Sequence, residues 1–351
     1  MPYEDGWAAL NLEMPKRIPR TEYSLELHSG VIHAATGYDI HLADPSVRSR
    51  AQRALYDSWN YDLVWSTIDS RTIITSFSTR MGHAVYQEGG VDFDPMVSSP
   101  FSSVEEVFTF DPWEHFGRRN KAGLVAGFES HYQANCQAFP NQVNMTGIYV
   151  SCISGVLDLF GWNWLLEALG TDPVRFGKVV QRYSSWILQY FEALASSTAP
   201  VVMVHDDIVW SSGPFTKPSW YREFVFPALK SQMDPLRQAG KIILFTSDGN
   251  FTPFFEDLVD CGVSGFVLEP LTDLELLADR YGKTHVLIGN ADTRILLSGT
   301  HQEIRDEVER CLRIGRNCPG YFMAVGNHIP PNTPVGNALY YNQVYEEHCL
   351  R

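Results

Sequence analysis

The chain has 351 residues, 44% of them hydrophobic and 13% aromatic, enough to bury one large core or two modest ones. Its formal net charge of −14 repels phosphate backbones and argues against a nucleic-acid partner. The six cysteines (136, 152, 261, 311, 318 and 349) contain no CxxC pair and fit neither a zinc ribbon nor a disulfide framework, which leaves free thiols in a reducing compartment.

In chain order, residues 1–60 mix short helical pieces with Pro15, Pro19 and Pro45 and are expected to form an N-terminal extension. No apolar signal segment opens the chain, and the greasy stretch 149–169 is broken by Asp158, Asn163 and Glu167. A cytoplasmic location without membrane contact is therefore expected. Residues 51–59 read as a helix leading into a buried strand at 61–68. Residues 69–112 are rich in Gly, Ser and Thr, with a turn at Gly89-Gly90, and read as an insertion over the mouth of the fold. Residues 123–138 have helical spacing.

From residue 143 onward strands and helices alternate. Strands are expected at 143–153, 201–208, 241–246, 265–268, 284–288 and 321–325. Helices are expected at 162–194 (broken near Pro173), 218–239, 253–261, 273–281, 301–314 and 335–347. Short links between them imply right-handed βαβ units and a parallel sheet. With the strand at 61–68 this makes seven, and an eighth in the N-terminal third would close a single α/β (β/α)₈ TIM-type barrel domain over 1–351. An open doubly wound sheet is the alternative, but no GxGxxG follows the first strand.

Barrel strands turn polar where they emerge at the C-terminal face. Here that change recurs at Asp69, Ser151, His205-Asp206-Asp207, Asp248 with Asn250, Glu269, Asn290 and Asn327-His328. Asp207, His205, Asp248, Glu269 and His328 are the candidate catalytic residues. Asp69, Ser151, Trp210, Tyr221, Asn250, Asn290 and Asn327 are candidates for binding substrate. Adjacent residues on a strand point to opposite sides, so only one of Asp206 and Asp207 can face the axis. Asp207 shares the phase of Met203 and His205 and is expected inside the mouth, as a general acid whose pKa the acidic rim raises. Asp248, Glu269 and His328 offer a hard-ligand set for zinc. A second set, Asp292, Glu307 and His328, is weakened by Glu307, which is expected to face solvent from within a helix. Trp65, Trp210, Phe215, Tyr221 and Phe251 are aromatics that could line an apolar pocket.

The residues then become familiar. Gly289-Asn290-Ala291-Asp292 with Gly299-Thr300, Glu303-Ile304 and Glu307-Val308 resembles a signature of the uroporphyrinogen decarboxylase superfamily. So do Gly320-Tyr321-Phe322 with Gly326-Asn327-His328-Ile329-Pro330-Pro331, Asp206-Asp207 with Ser219, Tyr221 and Pro227, and Ser247-Asp248-Gly249-Asn250. The resemblance covers roughly residues 140–350 and implies a (β/α)₈ barrel. It departs from true decarboxylases at residues 20–24, which lack their arginine-rich motif for substrate carboxylates. The thiol-methylating members of the corrinoid branch hold zinc with an HxC pair and a further cysteine. Thr246, Asp248 and Asn327 stand at the matching positions and supply no thiolate. What remains resembles the demethylases that pass a methyl group from methoxylated or methylamine-type compounds to a cobalt(I) corrinoid protein. The chain shows no DxHxxG-type cobalamin segment, so the corrinoid is expected on a separate partner protein. A homodimer is compatible with the sequence. Two other readings stay open: a decarboxylase or lyase on a small carboxylate or tetrapyrrole, and a non-catalytic barrel that binds a tetrapyrrole or a partner.

Overall fold

The computed structural model describes residues 2–41, 44–68, 71–74, 77–81, 84–87, 90–93 and 97–351. Its centre is a ring of parallel strands. These are β1 (Leu63–Val64), β2 (Val143–Asn144), β3 (Thr146–Ile148), β4 (Val201–His205), β5 (Ile242–Thr246), β6 (Gly265–Val267), β7 (Val286–Ile288) and β8 (Tyr321–Phe322). Six of them run side by side in the order β8-β7-β6-β5-β4-β3. β1 pairs with β2, and Ile68 bridges Ile148, so the stretch 63–68 lies along the wall that β2 and β3 make together.

The gap between β8 and β1 is filled by residues 19–22. Arg20 and Met323 form a parallel bridge. Thr21 donates its N–H to the Met323 carbonyl (3.1 Å), and Met323 donates to the Pro19 carbonyl (2.8 Å). On the other side Asp62 donates to the Arg20 carbonyl (2.9 Å). This is the eighth wall element, and the ring closes as a (β/α)₈ barrel. It comes from inside the stretch expected to be an extension, because four residues that open on Pro19 and pair on both sides carry no strand-length hydrophobic pattern.

The closing segment is anchored by a buried ion pair. Arg20 meets Glu22 at 2.7 Å, and both side chains are wholly shielded from solvent. The guanidinium lies against the faces of Tyr345 (4.4 Å), Trp59 (4.9 Å) and Tyr341 (5.5 Å). Glu22 also accepts the Tyr341 hydroxyl (2.7 Å) and the Val325 N–H (2.9 Å). A buried charge needs this density of partners to persist.

Helices cover the outside. The strand expected at 143–153 stops at Ile148, and a helix starts at Ile153 (Ile153–Thr171). The physical reason is distant in sequence: the buried Asp206 carboxylate accepts N–H groups of Cys152 (3.2 Å) and Ser154 (2.6 Å), which are the orphan donors of that helix start. The helix expected at 218–239 is realised as Pro218–Trp220, a widened turn at Tyr221–Val225 and Phe226–Gln238. Pro227 has no N–H to return to the preceding turn, and the backbone widens just before it. Thr293–Ser298 is a helix missing from the sequence reading; the Asp292 side chain opens it by accepting the Arg294 N–H (2.9 Å). His301–Gly315 carries the Thr300/Glu303 capping box.

In the stretch 69–112, Arg80–Met81 pairs with Val97–Ser98, and Ala84–Gln87 pairs with Gly90–Phe93, both antiparallel. Its described parts hold to the outer helices: Thr79 donates to the Asp158 carbonyl (2.9 Å) and Arg175 pairs with Glu105 (2.6 Å). Among the described residues no helix is long and apolar enough to cross a membrane. All six cysteines are unbridged.

Packing around the barrel is tight enough to forbid single methyl groups. A Cβ added at Gly315 would fall 1.9 Å from the ring of the buried Tyr321. Gly315→Ala is expected to cost about 1–3 kcal/mol, read as a lower urea midpoint at unchanged slope.

Candidate functional site

Strand alternation decides what faces the mouth. On β4, Met203 and His205 line a cavity of about 140 Å³ at the C-terminal end of the barrel. Asp206, one residue on, turns outward to the helix start at Ile153. Burial pushes its carboxyl up, the N–H groups of Ser154 and Ile153 pull it back, and it settles at about 6.

Asp207 follows His205 at the rim. Its Oδ1 lies 3.1 Å from His205 Nε2 and accepts the Asp248 N–H at 2.9 Å. The other imidazole nitrogen, Nδ1, donates to the Tyr149 carbonyl at 3.0 Å, and the ring stacks on Tyr149 at 3.7 Å. Both ring nitrogens face acceptors, which suits an imidazolium. Burial opposes that charge, but Asp207 and then Asp248 outweigh it and raise His205 to about 9.

The two rim carboxyls part company. Burial pushes Asp207 up, but the His205 cation more than cancels this, and the net direction is downward. The sequence-based expectation of a raised Asp207 is thus reversed, because the nearest charge is a partner and not the acidic rim. Asp248 takes the upward shift. Desolvation, then Asp207 and Glu269, push it to about 7 against the pull of His205. Asp248 is nonetheless open to the water of the mouth, which screens part of this repulsion.

The other expected residues separate into three groups. Asn327 and His328 line the cavity. His328 places Nδ1 2.5 Å from Ser24 Oγ, and burial lowers its pKa. Glu269 accepts the Gly249 N–H (2.6 Å) and the Asn327 side-chain amide, so both its oxygens are engaged beside the cavity. Trp210 stands on the rim, 40% exposed, with Trp162 and Phe215 near it.

Four expected substrate-binding residues are used internally instead. Ser151 is buried and donates to the His205 carbonyl (2.6 Å). Asn290 is buried and donates to the carbonyls of Glu269 (3.2 Å) and Thr272 (3.0 Å). Asn250 accepts the Thr252 N–H (3.1 Å) within its own turn. Tyr221 is buried, and its hydroxyl accepts the Phe215 N–H (3.4 Å). Asp69 lies outside the described residues. Of the aromatics, Trp65 lines the cavity, whereas Tyr221 and Phe251 belong to the core.

The metal expectation needs correction. Asp248, Glu269 and His328 are not brought together, since Glu269 is held by Gly249 and Asn327 and His328 turns to Ser24. Among the described residues the grouped donors are His205, Asp207 and Asp248, with ligand atoms all within 4.8 Å of one another. The second set fails as well. Glu307 is buried and does not face solvent; it pairs with Arg310 (2.7 Å) and accepts the Asp292 N–H (2.9 Å). Asp292 pairs with Arg294 (2.6 Å). Thr246, Asp248 and Asn327 do share the cavity wall, but a hydroxyl, a carboxylate and an amide do not make a soft thiolate zinc site.

Sequence reasoning missed the wall built by the N-terminal third. Glu22, Tyr23, Ser24, Glu26 and Tyr56 all line the cavity. Their signal was the stretch 20–24 itself, which stood out only for what it lacked. Among the described residues, no lysine or arginine lines this cavity. Arg20, the cation nearest in sequence, is turned away into its aromatic cage.

The likenesses to known proteins agree with this geometry. The uroporphyrinogen decarboxylase (URO-D) family matches residues 44–348. The chain is 27% identical over 170 residues to a uroporphyrinogen decarboxylase of Thermus thermophilus, covering 48% of each. It is 33% identical over 106 residues to that of Teredinibacter turnerae, covering 30% of this chain and 29% of the other. The matches thus span half or less of the length of these curated relatives. Among solved structures, a methyltransferase from Methanosarcina mazei superposes over 99% of this chain and 98% of its own with a TM-score of 0.65 at 16% identity, a likeness of fold. From the match over most of its length, the chain belongs to the uroporphyrinogen decarboxylase family.

Proposed function

We propose that this protein is a methyltransferase that takes a methyl group from a small methoxy or methylamine-type compound and gives it to a cobalt(I) corrinoid carried by a separate protein. The observation that carries this reading is the charge of the cavity. Its walls hold carboxyls, imidazoles and aromatic rings, the one raised imidazole (His205) is already matched by Asp207, and among the described residues no lysine or arginine lines it. A substrate with many carboxylates needs several cationic anchors, and here it would meet like charge. A neutral or cationic methylated donor meets none.

The bound corrinoid supplies a two-electron nucleophile for the methyl carbon. The chain's own residues position the donor and manage charge on the departing atom. Asp207 stays ionised and orients His205. Asp248, with its pKa at about 7, is the rim carboxyl that reaches both protonation states, so the acid role first given to Asp207 passes to it. A departing oxygen would use its proton; a departing amine would use its negative charge. Exposed apolar side chains on the loops after β3, β4 and β6 (Tyr149, Trp210 and Leu271, each about two-fifths exposed) fit the approach of a large flat cofactor. A reducing cytoplasm suits the unbridged cysteines and the reduced cobalt.

The test is methyl transfer to cobalt(I) cobalamin from a panel of methyl ethers and methylamines. Transfer from at least one donor, lost in Asp248→Ala, is the expected outcome. Release of carbon dioxide from a small acid, with no transfer from any donor, would instead favour the lyase reading.

A second reading of the rim trio has its own observation. One imidazole nitrogen and two carboxylate oxygens within 4.8 Å of one another form a donor set for zinc with a position left open. Metal analysis of purified protein decides it: stoichiometric zinc that disappears in Asp207→Ala/Asp248→Ala supports a metal centre, and its absence leaves the trio to protons.

A further inference from the structure

Part of the cavity lining is aromatic and anionic. Tyr23 and Trp65 stand at 74° to one another with ring centroids 5.2 Å apart, two sides of a box. Tyr56 and Tyr149 also line the cavity, Tyr56 with one face on Tyr61 and Tyr149 with one face on His205. Tyr23 is more than nine-tenths buried, and its hydroxyl has no hydrogen-bond partner. Glu26 lies among these rings. The Tyr56 hydroxyl donates to it at 3.4 Å, burial raises its carboxyl, its own backbone N–H and Tyr56 pull it back, and among the described residues no cation pairs with it. Glu22, the neighbouring carboxyl, is already matched by Arg20 at 2.7 Å. The cavity therefore carries, besides Asp248, a second carboxyl that no described cation pairs with.

We propose that this cavity selects a small methylated ammonium ion, with no carboxylate of its own, as the methyl donor. The inference rests on the methyltransferase reading above. Ring faces attract a diffuse cation through their quadrupoles, and methyl groups on nitrogen spread the charge over a surface that packs against rings. An ordinary ammonium would lose its water for few hydrogen bonds here. A betaine would bring a carboxylate into a cavity with no lysine or arginine among the described lining residues, where His205 is already taken by Asp207. In the transfer the C–N bond breaks with its electron pair left on nitrogen, so a quaternary donor departs as a neutral tertiary amine and takes up no proton. The methyl group passes to cobalt(I), whose electron pair makes the new bond at a formal cost of two units of oxidation state. Glu26 and Asp248 act as counter-charges to the bound cation.

The test is calorimetric titration of the purified full chain with choline chloride and with its neutral carbon isostere, 3,3-dimethylbutan-1-ol. Choline is expected to bind at least roughly tenfold more tightly than the isostere. Glu26→Gln should weaken choline about tenfold and leave the isostere unchanged. Trp65→Leu should weaken choline as well, with far-ultraviolet dichroism reporting that each variant is folded. Equal affinity for the two ligands, or no choline binding by the folded wild type, overturns the proposal. Methyl transfer from a neutral ether without ammonium binding overturns it too, and leaves the methyltransferase reading standing. Choline binding with no transfer from any donor supports the cage and overturns that reading instead.

Discussion

Arg20→Met is expected to remove about 3–5 kcal/mol of stability, the scale for stranding one partner of a buried ion pair. That is a large part of the roughly 5–15 kcal/mol that holds a typical fold together. Glu22 would be left without its cation on the segment that closes the barrel, with only Tyr341 and the Val325 N–H to hold it. Burial already pushes the Glu22 carboxyl up, and Arg20 is the first group that pulls it down. The mutant carboxyl should therefore titrate higher still. The double variant Arg20→Met/Glu22→Gln is expected to recover part of the loss, since it removes the stranded charge as well. Urea unfolding of wild type, single and double variants measures both effects. A single variant within about 1 kcal/mol of wild type would show that the pair does not secure the closure.

Asp248→Asn is the second large effect. It is expected to lower kcat/KM for methyl transfer by roughly one to two orders of magnitude and to flatten the pH profile near neutrality. The sign of that profile follows from the direction of the shift. Desolvation, Asp207 and Glu269 bring Asp248 to about 7, so the group is neutral below this value and a carboxylate above it. With a methylated ammonium donor the carboxylate is the useful form, and wild-type kcat/KM should climb as pH rises through about 7. With a methyl ether the proton is useful, and the profile should fall over the same range. His205 stays protonated until about 9 and holds Asp207 ionised across this window. A profile near neutrality that is identical in wild type and Asp248→Asn would assign the titration to another group.

Apart from the short helix Thr293–Ser298, the order of elements from residue 143 onward was legible in the sequence because each strand and helix buries a continuous apolar stretch, and that pattern is local. So was the placement of polar residues at the strand ends, since a buried strand turns polar only where it leaves the core. Strand alternation even separated Asp207, which meets His205, from Asp206, which turns to the helix start at Ile153. Three things were decided only by the fold. The closing strand at 19–22 is defined by hydrogen bonds to Met323 and Asp62, which no local pattern announces. The trio of His205, Asp207 and Asp248 depends on which neighbouring strand end each side chain meets. Glu269 and His328 were removed from it by Asn327, Gly249 and Ser24. The pKa of Asp207 followed its nearest charge, an imidazole at 3.1 Å, and not the acidic average of the rim. Coulomb energy falls with distance and is screened by water. The sequence alone can count the charges of a rim, but which of them touch is settled when the chain folds.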